Sequence, residues 1–253
     1  MHGTPTGPAG TGSGRRPGGS GSRAADREAG AAPTTGSRPA GLRSGWFISF
    51  EGVEGAGKTT QLDLLRRELE ARGHEVVATR EPGGTPVGER IRAILLDPVA
   101  GDLDARAEAL LFAAARAQLV EQVIRPALDR GAVVLCDRFL DSSLAYQGVG
   151  RGLGSEQVER INNWATAGVL PHLVVLLDLD PAAGLARRSG RRDRIEGQEL
   201  DFHREVARAF RALAAEQPDR FLVVAAAAPA DQVAEQVRAG VLARMEGSRV
   251  GLG

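Results

Sequence analysis

The stretch GVEGAGKT, Gly52 to Thr59, fits the phosphate-loop pattern GxxxxGK followed by Ser or Thr. In such a loop, successive backbone N–H groups turn inward around phosphate oxygens, and the start of the following helix adds a favourable dipole. Lys58 would reach the β and γ phosphates of a nucleoside triphosphate, and the Thr59 hydroxyl would hold Mg²⁺. Gly52, Gly55, Ala56, Gly57, Lys58, Thr59 and Thr60 are therefore the candidate ATP-binding set. Lys58 is the only lysine among 32 basic residues, all the others being arginine. A compact ammonium fits between phosphates better than a planar guanidinium, which supports a function at this position. The same scarcity disfavours a GTPase switch, whose guanine-reading Asn-Lys-x-Asp motif needs a second lysine.

A second concentration of chemistry follows the apolar run AVVLCD, which ends at Asp137. Arg138, Ser142, Ser143, Tyr146 and Gln147 fall within the next ten residues. Asp137 can orient a Mg²⁺ shell, Arg138 can hold a phosphate through bidentate hydrogen bonds, and the polar and aromatic neighbours can read a nucleoside. The segment reads as a loop at the carboxyl edge of a parallel sheet, the usual place for ligands in such folds.

Elements of matching type surround both motifs. Strands are expected at Trp46 to Glu51, Glu75 to Thr79, Ala132 to Asp137, Leu173 to Asp178 and Phe221 to Val224. Helical spacing is clearest from Ala105 to Arg130, where Leu110, Leu111, Ala114, Leu119 and Val123 recur. Alternation of strands and helices predicts an α/β fold: a five-stranded parallel sheet flanked by helices on both faces.

Composition sets the outer bounds. Acidic and basic residues balance at 32 each, so no global field favours nucleic acid or an anionic membrane. Apolar runs such as Val174 to Leu177 fall far short of the roughly 20 residues needed to span a bilayer. One cysteine, Cys136, cannot form an internal disulfide, and the N-terminus has no apolar stretch of signal-peptide type, so a reducing, cytoplasmic address is expected. The four histidines, His2, His74, His172 and His203, have no metal-ligand spacing. Residues 1–45 hold 12 of the 33 glycines and 5 of the 13 prolines, with no Val, Ile, Leu, Met, Phe, Trp, Tyr or Cys between His2 and Gly41. That stretch is expected to be a disordered extension, followed by one α/β domain carrying the phosphate loop at 46–246 and a flexible C-terminus at 247–253.

The ordered motifs EGVEGAGKTTQ, TREPGGTPVGE (Thr79 to Glu89), LLFAAARAQLVEQVIRPAL (Leu110 to Leu128), DRFLDSSLAYQGVGRG and ARRSGRRDRIEGQELDF resemble those of the thymidylate kinases. The resemblance covers residues 46 to about 245. It implies the P-loop nucleoside-monophosphate-kinase fold, with ATP-Mg²⁺ phosphorylating dTMP, and a homodimer formed through the apolar face of the helix from Ala105. It further implies that Glu54 accepts a hydrogen bond from the sugar 3′-hydroxyl, that Phe112 stacks on thymine and that Arg116, four residues on, donates to a base carbonyl. By the same resemblance Arg138 binds the monophosphate with Arg92 as a weaker companion, and Ser143 and Gln147 line the base pocket. Tyr146 matches the aromatic whose bulk disfavours a ribose 2′-hydroxyl, and Arg80 shapes the TREPGG loop.

Where some thymidylate kinases carry an arginine in the phosphate loop, this chain has Gly55, followed by Ala56. The charge is expected instead from RRSGRRDR at 187–194, which resembles the basic lid of the bacterial type. Arg188 and Arg192 are the ATP-binding candidates there, and Arg191 is the expected catalytic arginine. AAAAPADQV from Ala225 would lie near the adenine. Two other readings stay open on the residues: a P-loop kinase for another nucleotide or a deoxynucleoside, and a nucleotide-binding module without turnover.

Overall fold

The structure, a computed structural model, describes residues 45–99, 103–187 and 193–250. All but the last residue of the 1–45 extension, and the lid arginines Arg188, Arg191 and Arg192, lie outside the described residues.

Five parallel strands form one sheet: β1 Trp46–Glu51, β2 Val76–Arg80, β3 Val133–Asp137, β4 Leu173–Asp178 and β5 Phe221–Ala225, in the order β2-β3-β1-β4-β5. Side chains alternate across the sheet, so each strand feeds two cores. Ile48, Phe50, Leu135, Val175 and Leu177 pack on one face with Leu62, Leu65 and Leu69 of helix α1 (Lys58–Ala71) and Val237 and Val241 of a C-terminal helix, Ala230–Val250. Phe47, Val134 and Cys136 face the other way, against Leu119, Val120, Ile124 and Ala127. Burial on both faces is why the three inner strands, β1, β3 and β4, read as largely apolar runs, whereas the edge strands β2 and β5 are partly exposed.

Helix α2 (Pro86–Leu96) starts where the Thr85 side chain accepts the Gly88 N–H at 3.0 Å and Pro86 takes the first helical position. Helix α3 (Ala105–Leu119) is capped by Asp104, whose carboxylate accepts the Arg106 and Ala107 N–H groups. The long helical stretch expected to Arg130 continues through a π-helical turn, Val120–Ile124, into α4 (Arg125–Asp129). Pro126 has no N–H and its ring would clash with the carbonyl one turn back, and the wider turn accommodates both.

The segment after β3 departs from the expected loop. It forms a short helix α5 (Leu140–Ser143) and a second π-helical turn, Leu144–Gly150, before α6 (Ser155–Thr166). Gly148 and Gly150 disfavour a helix locally, but Leu144, Ala145 and Tyr146 are buried in the cores, and packing overrides propensity. Helices α7 (Pro181–Arg187) and α8 (Leu200–Glu216) precede β5, and the final helix, α9, is Ala230–Val250. Helix α9 therefore continues past Gly247, where a flexible C-terminus is expected; Gly247 stands in open space, and an exposed helical glycine costs only about 1 kcal/mol.

Candidate active site

Register brings the chemistry together. Phe50 of β1 and Arg80 of β2 both pair with Asp137 at the end of β3, so three strands end at one edge. The phosphate loop leaves β1 there, and α1 begins at Lys58, directly after Gly57. Thr59 at the start of α1 donates its hydroxyl to Asp137 Oδ2 at 2.6 Å, so the two residues assigned to Mg²⁺ are already neighbours.

These groups open into a cavity of about 450 Å³. Glu54, Gly55, Gly57, Lys58, Thr59 and Thr60 line it from the phosphate loop, and Asp137 and Arg138 line it from the end of β3. Arg92 of α2, Phe112 and Arg116 of α3, and Ser142, Ser143, Tyr146 and Gln147 also line it, with Arg80 to Pro82 at the end of β2, Leu96, Arg187 and the segment around Asp193, Ile195 and Glu196. Gly52 and Ala56 do not line it: Ala56 is buried in the core, and the Gly52 carbonyl accepts hydrogen bonds from Lys58 and Arg138.

Gly55 explains why the phosphate loop carries no side chain at that position. It has a φ of +70°, and a Cβ there would stand 2.0 Å from the carbonyl oxygen of Gly184 in α7. A Cβ on Gly184 would in turn meet the Glu54 carbonyl at 2.1 Å. Backbone packs on backbone, and only glycine permits that approach.

Charge in the pocket is balanced locally. Lys58 Nζ donates to the Gly52 and Val53 carbonyls at 3.0 and 2.9 Å. Its burial, reinforced by the positive charge of Arg138, draws the ammonium pKa down to about 8 despite Glu54 and Asp137 nearby. Burial works against the Glu54 carboxylate too, yet Arg138, Lys58 and the Tyr146 hydroxyl outweigh it and hold the pKa at about 2. Burial and the Glu54 carboxylate push the Tyr146 phenol well above its ordinary value, so it acts as a donor. Arg138 has a φ of +72°, uncommon for a residue with a side chain, and its Nη2 meets Glu54 at 2.7 Å.

Arg116 is not a solvated helix face. It is 1% exposed, and all five of its N–H groups have protein acceptors. Nε and Nη2 grip Glu81, with the shortest contact at 2.5 Å; Nη2 also reaches the Phe139 carbonyl, and Nη1 donates to Ser143 Oγ and Asn162 Oδ1. A base carbonyl must therefore share or displace one of these partners. Phe112 is only partly buried, leaving ring surface toward the cavity. The Gln147 amide is held at 2.8 Å by Glu108, a carboxylate that also pairs with Arg194 at 2.7 Å. Arg92 donates to the Pro82 carbonyl at 2.9 Å, and Arg80 pairs with Glu89 at 3.0 Å.

Sequence reasoning missed Glu51, Glu81, Glu108 and Arg187. Glu81 sits inside TREPGG and Arg187 inside the basic run, so both lay within motifs already singled out. Arg187 lines the cavity and donates to the Ala226 and Ala227 carbonyls after β5, in the segment expected near the adenine. Glu51 and Glu108 gave no signal, because nothing local distinguishes a buried carboxylate from a solvated one.

Comparison with known proteins agrees with this geometry. The thymidylate kinase family model matches residues 50–237. The thymidylate kinase of Deinococcus radiodurans is 53% identical over 205 residues, covering 80% of this chain and 99% of the relative. That of Geobacillus thermodenitrificans is 48% identical over 210 residues, covering 81% and 93%. Among solved structures, the thymidylate kinase of Ehrlichia chaffeensis superposes with a TM-score of 0.67 at 32% identity, covering 78% of this chain and 99% of that one. With its phosphate loop, parallel sheet and acceptor pocket in this arrangement, the chain belongs to the thymidylate kinase family.

Proposed function

We propose that the chain transfers the γ-phosphoryl group of ATP to dTMP, giving dTDP and ADP. The observation that carries this reading is that the phosphate loop, the Asp137-Arg138 pair and the aromatic rings of Phe112 and Tyr146 open into one cavity, in a chain of this family. Phosphoryl transfer asks for positioning and charge stabilisation rather than covalent participation by the protein. The loop N–H groups and Lys58 hold the ATP phosphates. Arg138, with Arg92, holds the dTMP phosphate in line; an acceptor oxygen bonds to the γ phosphorus as its bond to the β-γ bridging oxygen breaks. Glu54 orients the sugar, Phe112 stacks on the base, and Ser143, Gln147 and Arg116 bound its edge. Arg188, Arg191 and Arg192 are the proposed lid groups toward ATP, with Arg191 the catalytic one.

Mg²⁺ fits the donor set at Thr59 and Asp137. Both offer hard oxygen ligands and are already in hydrogen-bond contact. No three His, Cys, Asp or Glu side chains form a metal cage among the described residues, so the remaining oxygens would come from phosphates and water. When bound, the ion neutralises phosphate charge.

A homodimer belongs to the same proposal. Leu110, Ala113, Ala114 and Ala117 of α3 and Ile161, Trp164 and Ala165 of α6 form an apolar groove, with Trp164 86% exposed. A second copy of this face would cover it. Among the described residues no helix is long and apolar enough to cross a membrane, and we place the enzyme in the cytoplasm with its substrates.

The test is ADP release across a panel of nucleoside monophosphates and deoxynucleosides. The reading expects dTMP to give the highest kcat/KM; dCMP or AMP ahead of dTMP would leave a phosphate-loop kinase of another acceptor, and no ADP release with any acceptor would leave a binding module.

A further inference from the structure

Glu51, the last residue of β1, is fully buried and does not line the cavity, yet it stands directly behind the phosphate-binding arginine. Its Oε1 accepts the Phe139 N–H at 2.7 Å, and its Oε2 accepts the Ser142 hydroxyl at 2.6 Å. The Phe50 carbonyl accepts the Arg138 N–H at 2.9 Å. Two successive amides after β3, those of Arg138 and Phe139, are thus held by two successive residues of β1, Phe50 and Glu51, and Arg138 itself stands at a φ of +72°. The side chain is held through the same set: Arg138 Nη1 donates to Ser142 Oγ at 3.1 Å and to the Gly52 carbonyl at 3.1 Å, while Nη2 pairs with Glu54 at 2.7 Å.

We infer that Glu51 is a positioning residue for the acceptor phosphate: through the Phe139 amide and the Ser142 hydroxyl it holds Arg138 in the backbone conformation and side-chain direction that the transfer needs. A residue with a side chain at positive φ persists only where its surroundings over-determine it. Glu51 acts on both the backbone turn, through the Phe139 N–H, and the side chain's hydroxyl partner, Ser142. Burial and the neighbouring Asp141 carboxylate raise the Glu51 pKa above the usual carboxylate range, against Ser142, Arg138 and the Phe139 amide. A carboxyl kept at such a place is costly for stability and serves the geometry of its neighbours.

The inference rests on the reading of Arg138 as the dTMP phosphate ligand, and a set of four variants separates the two. Arg138→Ala should raise the KM for dTMP; if it leaves dTMP kinetics intact, that reading fails by itself. Glu51→Gln retains shape and one acceptor oxygen, and should melt within a few degrees of the parent. It should lower kcat/KM for dTMP by roughly ten- to a hundredfold, the scale of a small displacement of a substrate-positioning group, while the KM for ATP stays within about twofold. Ser142→Ala, which leaves Glu51 in place, should show the same selective loss. It carries the test if Glu51→Gln does not fold. In the Arg138→Ala background, Glu51→Gln should add nothing, because both act through one group. Unchanged dTMP kinetics in Glu51→Gln and Ser142→Ala, a matching rise in the KM for ATP, or a full additional loss on top of Arg138→Ala would each overturn the positioning role.

Discussion

Tyr146 Oη donates to Glu54 Oε1 at 2.9 Å, while the other oxygen of that carboxylate is held by Arg138. The Arg138 guanidinium also lies 5.1 Å from the centre of the Tyr146 ring. Three residues that the family resemblance assigns to the sugar hydroxyl, the phosphate and the ribose filter are therefore one hydrogen-bonded unit before any ligand enters. In the proposed function, a substrate hydroxyl at Glu54 would join a carboxylate that is already oriented.

That unit separates bulk from hydrogen bonding at Tyr146. Tyr146→Phe keeps the ring and loses the bond to Glu54, so dUMP should remain preferred over UMP. Tyr146→Ala opens the space and should raise relative turnover of UMP by about tenfold, the scale of one small group against a pocket wall. Competition assays with the two monophosphates measure both; equal relaxation in Phe and Ala variants would assign the discrimination to the hydroxyl instead.

Glu54 makes a pH prediction with a definite sign. Its pKa falls from 4.5 to about 2 on folding, so the native state gives up the carboxylate charge less readily than the unfolded chain. The stabilisation is complete above pH 4.5 and is lost as pH falls through about 2, amounting to roughly 3 kcal/mol at most. Urea midpoints of the parent and of Glu54→Gln should differ most near neutral pH and converge in acid.

A single lysine allows Lys58 to be watched directly. With lysine carrying ¹⁵N at Nζ, one side-chain signal should titrate with a midpoint at about 8 in the free protein. ATP should move that midpoint upward, since phosphate charge favours the ammonium. Because the folded pKa lies below the unfolded 10.5, the cost of the buried charge is full below about pH 8 and relieved as pH rises toward 10.5. Lys58→Ala should therefore fold with little loss of stability and lose phosphoryl transfer; a variant keeping about a third of parental turnover would contradict the assignment.

Arg116→Ala should act first on stability. It would leave the Glu81 carboxylate, itself buried, without its ion-pair partner, a change that costs about 3 to 5 kcal/mol. Arg116→Ala with Glu81→Gln should recover part of that loss in chemical denaturation. A stable single variant with weakened binding of every pyrimidine would place the arginine's main work at the base.

The apolar groove on α3 and α6 predicts assembly. Trp164→Glu should convert a dimer to monomer in sedimentation velocity while leaving the melting temperature close to the parent's, because the side chain buries little surface within its own chain. A parent protein that sediments as a monomer would remove the second copy from the proposal.

The amino-acid sequence determined whatever depends on neighbours along the chain. The phosphate loop is contiguous from Gly52 to Thr59, and its flanking strand and helix follow from local apolar periodicity, so position and chemistry were legible together. Strand placement was legible for the same reason, and β1 and β4 have the expected bounds. Much of the cavity lining was also legible, through the motifs around Phe112, Arg138 and Tyr146 that carry the family resemblance. Tertiary structure decided the partners. Arg116 and Glu81 stand 35 positions apart, and Glu51 meets Phe139 and Ser142 across 88 and 91, because parallel register brings the ends of β1, β2 and β3 to one edge. The π-helical turn carrying Tyr146 and Gln147 likewise depends on core packing that overrides the preferences of Gly148 and Gly150. Helical spacing in α3 marked apolar positions but not their destination: Leu119 went to the core and Leu110 to the surface. Periodicity reports that a face is apolar, whereas which groups are desolvated together depends on contacts between segments remote in the chain.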